Sequence, residues 1–142
     1  MKAYQKNYAG LWLDHRQAII ISITDEGESI KQIESDIERK VRLSGGSRTG
    51  QTPYGPQQVA VDRKQEARMK RQLRNYYQEI IRRIRDANKI LILGPGEAKT
   101  EFKKEMEKSR ELATKIAIME PADKMTEKQI AAKVRQFFSI KN

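Results

Sequence analysis

The chain opens with apolar stretches at the spacing of strands and later turns to the spacing of helices. Ala9–Asp14 carries a loose alternation that ends in Asp14-His15-Arg16, and Ala18–Thr24 is rich in Ile. Two apolar runs around a short polar interval predict a β-hairpin. Asp25–Glu28, with Gly27, reads as a second turn, and Ser29–Asp36 sets Ile30 and Ile33 among polar residues, as a third strand would. An antiparallel meander of three strands follows.

The pattern stops at Leu43. Residues 43–58 read LSGGSRTGQTPYGPQQ and hold four of the eight glycines and two of the four prolines. No apolar period survives there, so the stretch is expected to be a flexible loop, longer than the connections that merely join elements. A long helix is expected over Val59–Ala87, where Met69, Leu73, Tyr76, Ile80, Ile84 and Ala87 recur at three and four residues. Lys64, Arg68, Arg71, Asn75, Arg82 and Arg85 follow the same period on nearly the opposite side.

Lys89–Leu93 (KILIL) is a short continuous apolar run, suited to a central strand buried on both faces. Gly94-Pro95-Gly96 then turns the chain into a helix expected at Glu97–Thr114, with Ala98, Phe102, Met106 and Ala113 inward. Lys115–Met119 reads as a further strand. Thr126 with Gln129 three residues on has the spacing of a capping box. It opens a last helix to about Phe138, with Ile130, Val134, Phe137 and Phe138 inward. The order predicts an α/β fold: a mixed β-sheet with an N-terminal antiparallel meander and three helices. The length suits one domain over residues 1–142.

Composition narrows the chemistry. There is no Cys and one His, which excludes thiol nucleophiles, disulfides and multi-His metal sites. No run of about 18 apolar residues exists to span a membrane, and no secretory leader is legible, so a cytoplasmic location is expected. The formal net charge is +10, and it is localised. Arg39–Arg85 holds 13 Lys and Arg against Asp62, Glu66 and Glu79, while the remaining 95 residues balance at 16 of each sign. A merely soluble surface needs charge but not charge of one sign, so the excess points to a polyanion.

The motifs sort around that excess. Gly45-Gly46 gives the backbone freedom to approach another backbone, and Arg48, Gln51 and Tyr54 supply a phosphate contact, an amide and a stacking ring. Arg39, Lys40 and Arg42 precede the loop, and Arg63, Lys64, Arg68 and Arg71 continue the cationic path on the helix. A basic stretch with an interleaved aromatic suits single-stranded or folded RNA. Gly94–Lys99 (GPGEAK) offers a helix N-terminus to an anion or, more simply, is a tight turn. Asp14, with Asp36, Glu38 or Glu97, is a candidate magnesium site for a nuclease, against the plainer reading of a hairpin turn. His15 has no partner visible in sequence. Tyr76 reads as core, Tyr77 as edge-packed with stacking on RNA as the alternative, and Trp12 as sheet packing.

GLWLDHRQAIIISI, SDIERKVRLSGGSRTGQ, RKQEARMKRQLRNYYQEI and ILILGPGEAKTEF follow one another in an order that resembles a known arrangement. Over roughly Ala9 to Ile118 the chain resembles the central domain of archaeal and eukaryotic class-one peptide-chain release factors and of the related rescue factor Pelota. It resembles most the small bacterial and archaeal release-factor homologues. The resemblance implies a fold shared by several translation-machinery proteins and a basic surface facing ribosomal or transfer RNA. In release factors a Gly-Gly-Gln tripeptide places water on the peptidyl-tRNA ester. Gly45 and Gly46 match its first two positions, Ser47 stands where the Gln would be, and Gln51 follows at a different spacing.

The expectation is therefore an RNA-binding, translation-associated protein without cofactor or metal, contacting ribosome or structured RNA through Arg39, Lys40, Arg42, Arg48, Tyr54, Arg63, Lys64, Arg68 and Arg71. Peptidyl-tRNA hydrolysis with Gly45, Gly46 and Gln51, or metal-dependent nuclease action, is the enzymatic alternative. A third option is an interaction module that docks its basic helix on an acidic protein or a second copy. No partner membrane is implied, and the sequence leaves the oligomeric state open.

Overall fold

A computed structural model describes residues 6–35 and 55–139, the side chains of residues 55–62 excepted. Strands β1 (Asn7–Leu13), β2 (Gln17–Thr24) and β3 (Gly27–Glu34) form the expected meander. Helix α1 (Gly55–Ile84), strand β4 (Lys89–Gly94), helices α2 (Ala98–Met106) and α3 (Arg110–Ala113), strand β5 (Ile116–Pro121) and helix α4 (Glu127–Phe137) follow. The five strands make one sheet in the order β3-β2-β1-β4-β5. β1 is antiparallel to β2 and parallel to β4, and β4 is parallel to β5. The mixed α/β sheet thus matches the sequence reading.

The central strands are buried on both sides, which is why their sequences read as apolar runs rather than alternations. Ala9, Leu11, Leu13, Ala18, Ile20, Ile90 and Ile92 point to one face, against Tyr76, Tyr77, Ile80, Ile81 and Ile84 of α1 and Phe102, Met106 and Leu112 of α2 and α3. Trp12, Ile19, Ile21, Ile23, Leu91 and Leu93 point to the other face, against Ile130, Ala131 and Val134 of α4. The Trp12 indole N–H donates to the carbonyls of Ala122 (3.1 Å) and Asp123 (3.0 Å), so this side chain is packing and is satisfied. Ile30 and Ile33, three apart in β3, fall on opposite faces. Ile33 packs on the α1 side, and Ile30 lies across from Ile21 with 44% of its surface exposed.

The structure departs from the sequence reading at several points. The expected helix at 97–114 is two helices, because Ser109 is extended and its side chain accepts the Leu112 amide, starting α3 afresh. The restart re-phases the chain, so Leu112 rather than Ala113 is buried. Helix α1 begins at Gly55, inside the stretch read as loop to residue 58. Phe137 is 38% exposed, because consecutive helical residues point about 100° apart and Phe138 takes the inward place, stacked on Tyr8 at 4.5 Å. Met69 is likewise exposed, at 40%, although it lies on the apolar stripe of α1, because the helix has there left the sheet behind.

The capping box of α4 is complete. Thr126 Oγ1 accepts from the Gln129 amide at 3.1 Å and Gln129 Oε1 accepts from the Thr126 amide at 2.9 Å. Thr126→Ala frees one of these helix-end amides, so it should lower stability by about 1 kcal/mol. Thermal unfolding checks this, and a melting temperature unchanged from the parent chain would show that the box contributes nothing.

Candidate nucleic-acid interface

Helix α1 is longer than the sheet it packs on. Thirty residues make about 45 Å of helix. The eight-residue strands span about 26 Å. Its direction is set by two contacts. At the carboxyl end of β1 the Tyr76 hydroxyl donates to the Asp14 carbonyl at 2.9 Å, and at the amino end the Asn88 amide donates to the Asn7 carbonyl at 2.7 Å. The helix therefore runs against β1, and its surplus length lies beyond the carboxyl ends of the parallel strands. Among the described side chains of α1, residues 63–84, full burial begins only at Tyr76.

The projecting part carries the cations. Arg63, Lys64, Lys70, Arg71 and Arg74 are exposed and Arg68 is half-exposed. At 100° per residue Arg63, Lys70 and Arg74 lie on one flank and Lys64, Arg68 and Arg71 on the other, spread over about 160° of the circumference. The charge is thus a broad cationic face rather than the single ridge read from sequence. Among the described residues, none of Arg63, Lys64, Arg68, Lys70 and Arg71 forms an ion pair. The packed part of the helix differs. Glu79 bridges to both Arg82 and Arg83, at i+3 and i+4, and these two arginines hold its carboxyl below the usual range. Arg82 thus drops out of the free cationic set, and the Glu at that spacing was the signal for it. Arg74 stands between the two parts. Burial opposes ionisation of Glu105, but Lys108, Gln78 and Arg74 together hold its carboxyl below the usual range.

Of the sequence candidates, the structure brings Arg63, Lys64, Arg68 and Arg71 onto this one projecting segment. Gly45, Gly46, Gln51, Arg39, Lys40, Arg42, Arg48 and Tyr54 lie outside the described residues, as do Asp36 and Glu38. Lys70 and Arg74 belong to the same surface and were missed as individual contacts, because they flank the stripe that periodicity picks out.

The base of the projection holds a polar cluster. Asp14 Oδ1 accepts the amides of Arg16 (2.8 Å) and Gln17 (2.9 Å), so this carboxylate closes its own turn. Among the described residues no group of three or more His, Cys, Asp or Glu is placed to hold a metal ion. The turn reading of Asp14 is what the described residues show, and Asp36 and Glu38, the other members of the magnesium reading, lie outside them. Tyr77 is buried, and its hydroxyl donates to Glu101 Oε1 at 2.7 Å. That removes the ring from stacking on RNA, and it is core rather than edge. Burial, with Asp14 beside Tyr76 and Glu101 beside Tyr77, pushes both phenols above the ordinary tyrosine range, so both stay protonated. His15 Nε2 lies 3.0 Å from the same Glu101 oxygen. The partner is 86 residues away in sequence, which is why no local pattern announced it. Lys99 donates to the Gly96 carbonyl at 2.6 Å and stitches the Gly94–Gly96 turn. Among the described residues no helix is long and apolar enough to cross a membrane.

No family model and no curated protein sequence matches the chain. Solved structures do. The Pelota protein of Thermoplasma acidophilum superposes with a TM-score of 0.51 at 19% identity, covering 98% of this chain and 34% of that one. Pelota of Archaeoglobus fulgidus superposes with a TM-score of 0.50 at 12% identity, covering 96% of this chain and 34% of that one. An archaeal translation termination factor gives a TM-score of 0.47 at 12% identity over 94% of this chain and 39% of its own. The chain shares the fold of one part of the Pelota proteins and spans about a third of their length.

Proposed function

We propose that the chain is an RNA-binding protein of the translation machinery that contacts ribosome or transfer RNA through its basic Gly-rich segment and the helix after it. The observation that carries this reading is the projecting half of α1, whose Arg63, Lys64, Arg68, Lys70 and Arg71 form no ion pair among the described residues. An isolated cationic rod is costly to keep together, because like charges repel, and a polyanion relieves that repulsion. The fold shared with Pelota is in keeping with a translation role. The contacts assigned are Arg39, Lys40, Arg42, Arg48 and Tyr54 before the helix and Arg63, Lys64, Arg68 and Arg71 on it.

Phosphate contacts release counterions, so affinity for single-stranded RNA should fall with a log–log salt slope of about −0.7 per contact. The four helix cations alone predict a loss of about 50-fold between 50 and 200 mM salt. Filter binding of the purified chain to transfer RNA and to ribosomal RNA fragments measures it. Binding that ignores salt would sink the reading.

A further inference from the structure

At the carboxyl ends of β1 and β4, where α1 leaves the sheet, three side chains from three elements form one chain of hydrogen bonds. Tyr77 of α1 donates to Glu101 of α2, and the same Glu101 oxygen meets His15 of the β1–β2 turn. A carboxylate only accepts, so the proton on this contact belongs to His15 Nε2. In the neutral imidazole Nδ1 is then the nitrogen with a free lone pair.

The turn is fixed as firmly as the ring. Asp14 closes it through two amides, the Ser35 hydroxyl donates to the His15 carbonyl at 2.6 Å, and the Ser35 amide donates to the Arg16 carbonyl at 2.8 Å. Ser35 is itself buried. The His15 side chain remains 45% exposed and that of Glu101 41%. An exposed ion pair adds little to folding stability. A buried phenol behind it, aligning the carboxylate, is the layout of an oriented general base. His15 meets Glu101 of α2, with Tyr77 of α1 behind that carboxylate, and its chain neighbours in the turn are Asp14 and Arg16. Arg71 and Arg74 lie one to two helical turns up the projecting helix from Tyr77.

We propose that His15 is a catalytic base that cleaves RNA held along the cationic half of α1, with Glu101 and Tyr77 as positioning residues. This inference rests on the RNA-binding reading above. The 2′-hydroxyl proton of a ribose passes to His15 Nδ1, and the 2′-oxygen bonds to the adjacent phosphorus. The P–O5′ bond breaks with its electron pair on the 5′-oxygen, which takes the proton back from the imidazolium. The products are a 2′,3′-cyclic phosphate and a 5′-hydroxyl, and nothing else is consumed.

The test uses the purified full chain in EDTA with a 5′-labelled DNA oligonucleotide carrying a single ribose, beside an all-deoxy control, with binding measured on the same samples. The expected result is cleavage at the ribose only, with a cyclic phosphate end. His15→Ala should lose at least 100-fold in rate while holding the oligonucleotide as well as the parent chain, since a general base contributes about 10²–10⁴-fold. Added imidazole should restore part of that rate. Glu101→Gln should lower kcat about tenfold with KM unchanged. His15→Gln, which keeps a polar side chain in the turn, should be as slow as His15→Ala, so that loss of activity is not read from a misfolded variant. Binding without cleavage, or cleavage that both His15 variants retain, overturns this inference and leaves the RNA-binding reading intact. Absence of binding both to this oligonucleotide and to transfer RNA under the same conditions overturns both.

Discussion

Reversing three charges on the projecting helix, in the variant K64E/R68E/R71E, is expected to lower affinity for RNA on the order of 100-fold at 50 mM salt and to flatten the salt slope by about 2. The three side chains share one flank of α1 and touch no acid among the described residues. Three lost phosphate contacts remove about 0.7 each from the slope, and the new carboxylates add repulsion that salt then screens. The gap between parent and variant should therefore close as salt rises. Folding should hardly notice: substitutions at exposed positions without partners stay within about 0.5 kcal/mol. A reversal at Arg82 and Arg83, two charges against three, is the internal contrast. Those two are already bridged to Glu79, so their loss should cost RNA binding much less while breaking two intrahelical pairs. If both variants lose binding in proportion to the charge reversed, net charge and not the projecting surface is what RNA senses.

This contrast also marks what the sequence made legible. The excess of positive charge between Arg39 and Arg85 is a count, and helical spacing turns it into a stripe. Neither says that half of the helix extends past the strands of the described residues. That follows from comparing 30 helical residues with strands of six to eight, and from knowing which end of the helix the strands support. Met69 shows the failure most plainly. It keeps the apolar period with Leu73 and Tyr76, yet it is exposed, because periodicity reports a face and not what lies opposite it. The strands were easier. β1, β2 and β4 are buried on both sides, so their apolar runs need no choice of face. Ser109 was harder, because a serine inside an amphipathic stretch starts a new helix only if its own backbone is extended, and that is decided by packing of Leu112 below.

The polar cluster at the base of α1 was beyond reach for a different reason. Asp14 and His15 are adjacent in sequence and look like one site, but they do different work. Asp14 turns inward on its own backbone, and His15 reaches Glu101. Glu101 lies one residue from Phe102 and three from Ala98 on α2, both buried, so its place at the rim of that buried face is visible only once the helix is docked. The tyrosine pair resolves in the same way. Tyr76 and Tyr77 both end in the core, one tied to the turn and the other to the helix across from it.

The carboxyl ends that support this cluster depend on one glycine, and Gly94→Ala is expected to be the most destabilising of the substitutions considered. Gly94 ends β4, is buried, and accepts the Ala122 amide at 3.0 Å. A Cβ built there runs into the carbonyl oxygen of Leu13, with further Leu13 backbone atoms at 3.4 and 3.5 Å. A Cβ has no torsion by which to turn aside, and the obstacle is backbone rather than the flexible end of a side chain. β1 and β4 must then part at the level of Trp12 and Leu93, which are register partners and sit at the centre of the α4-side core. Overpacking of a buried site costs about 1–3 kcal/mol and more where backbone must move. We expect about 3 kcal/mol or more here, a large share of the 5–15 kcal/mol that typically holds a domain. Gly96, two residues on, is the control. Its φ is +62° and a Cβ there meets nothing within 4 Å, so Gly96→Ala should cost only the left-handed penalty of about 1–2 kcal/mol. Gly94 itself sits at φ +158°, a conformation that side chains avoid, so the excess loss of Gly94→Ala over Gly96→Ala in denaturant unfolding measures the collision on top of conformational strain. Equal losses would show that the approach of β4 to Leu13 is not what requires glycine. A larger loss in Gly94→Ala than in Gly96→Ala, with weakened protection of the amides of Arg16 and Gln17 against hydrogen exchange, would tie the β1–β4 contact to the turn that carries His15.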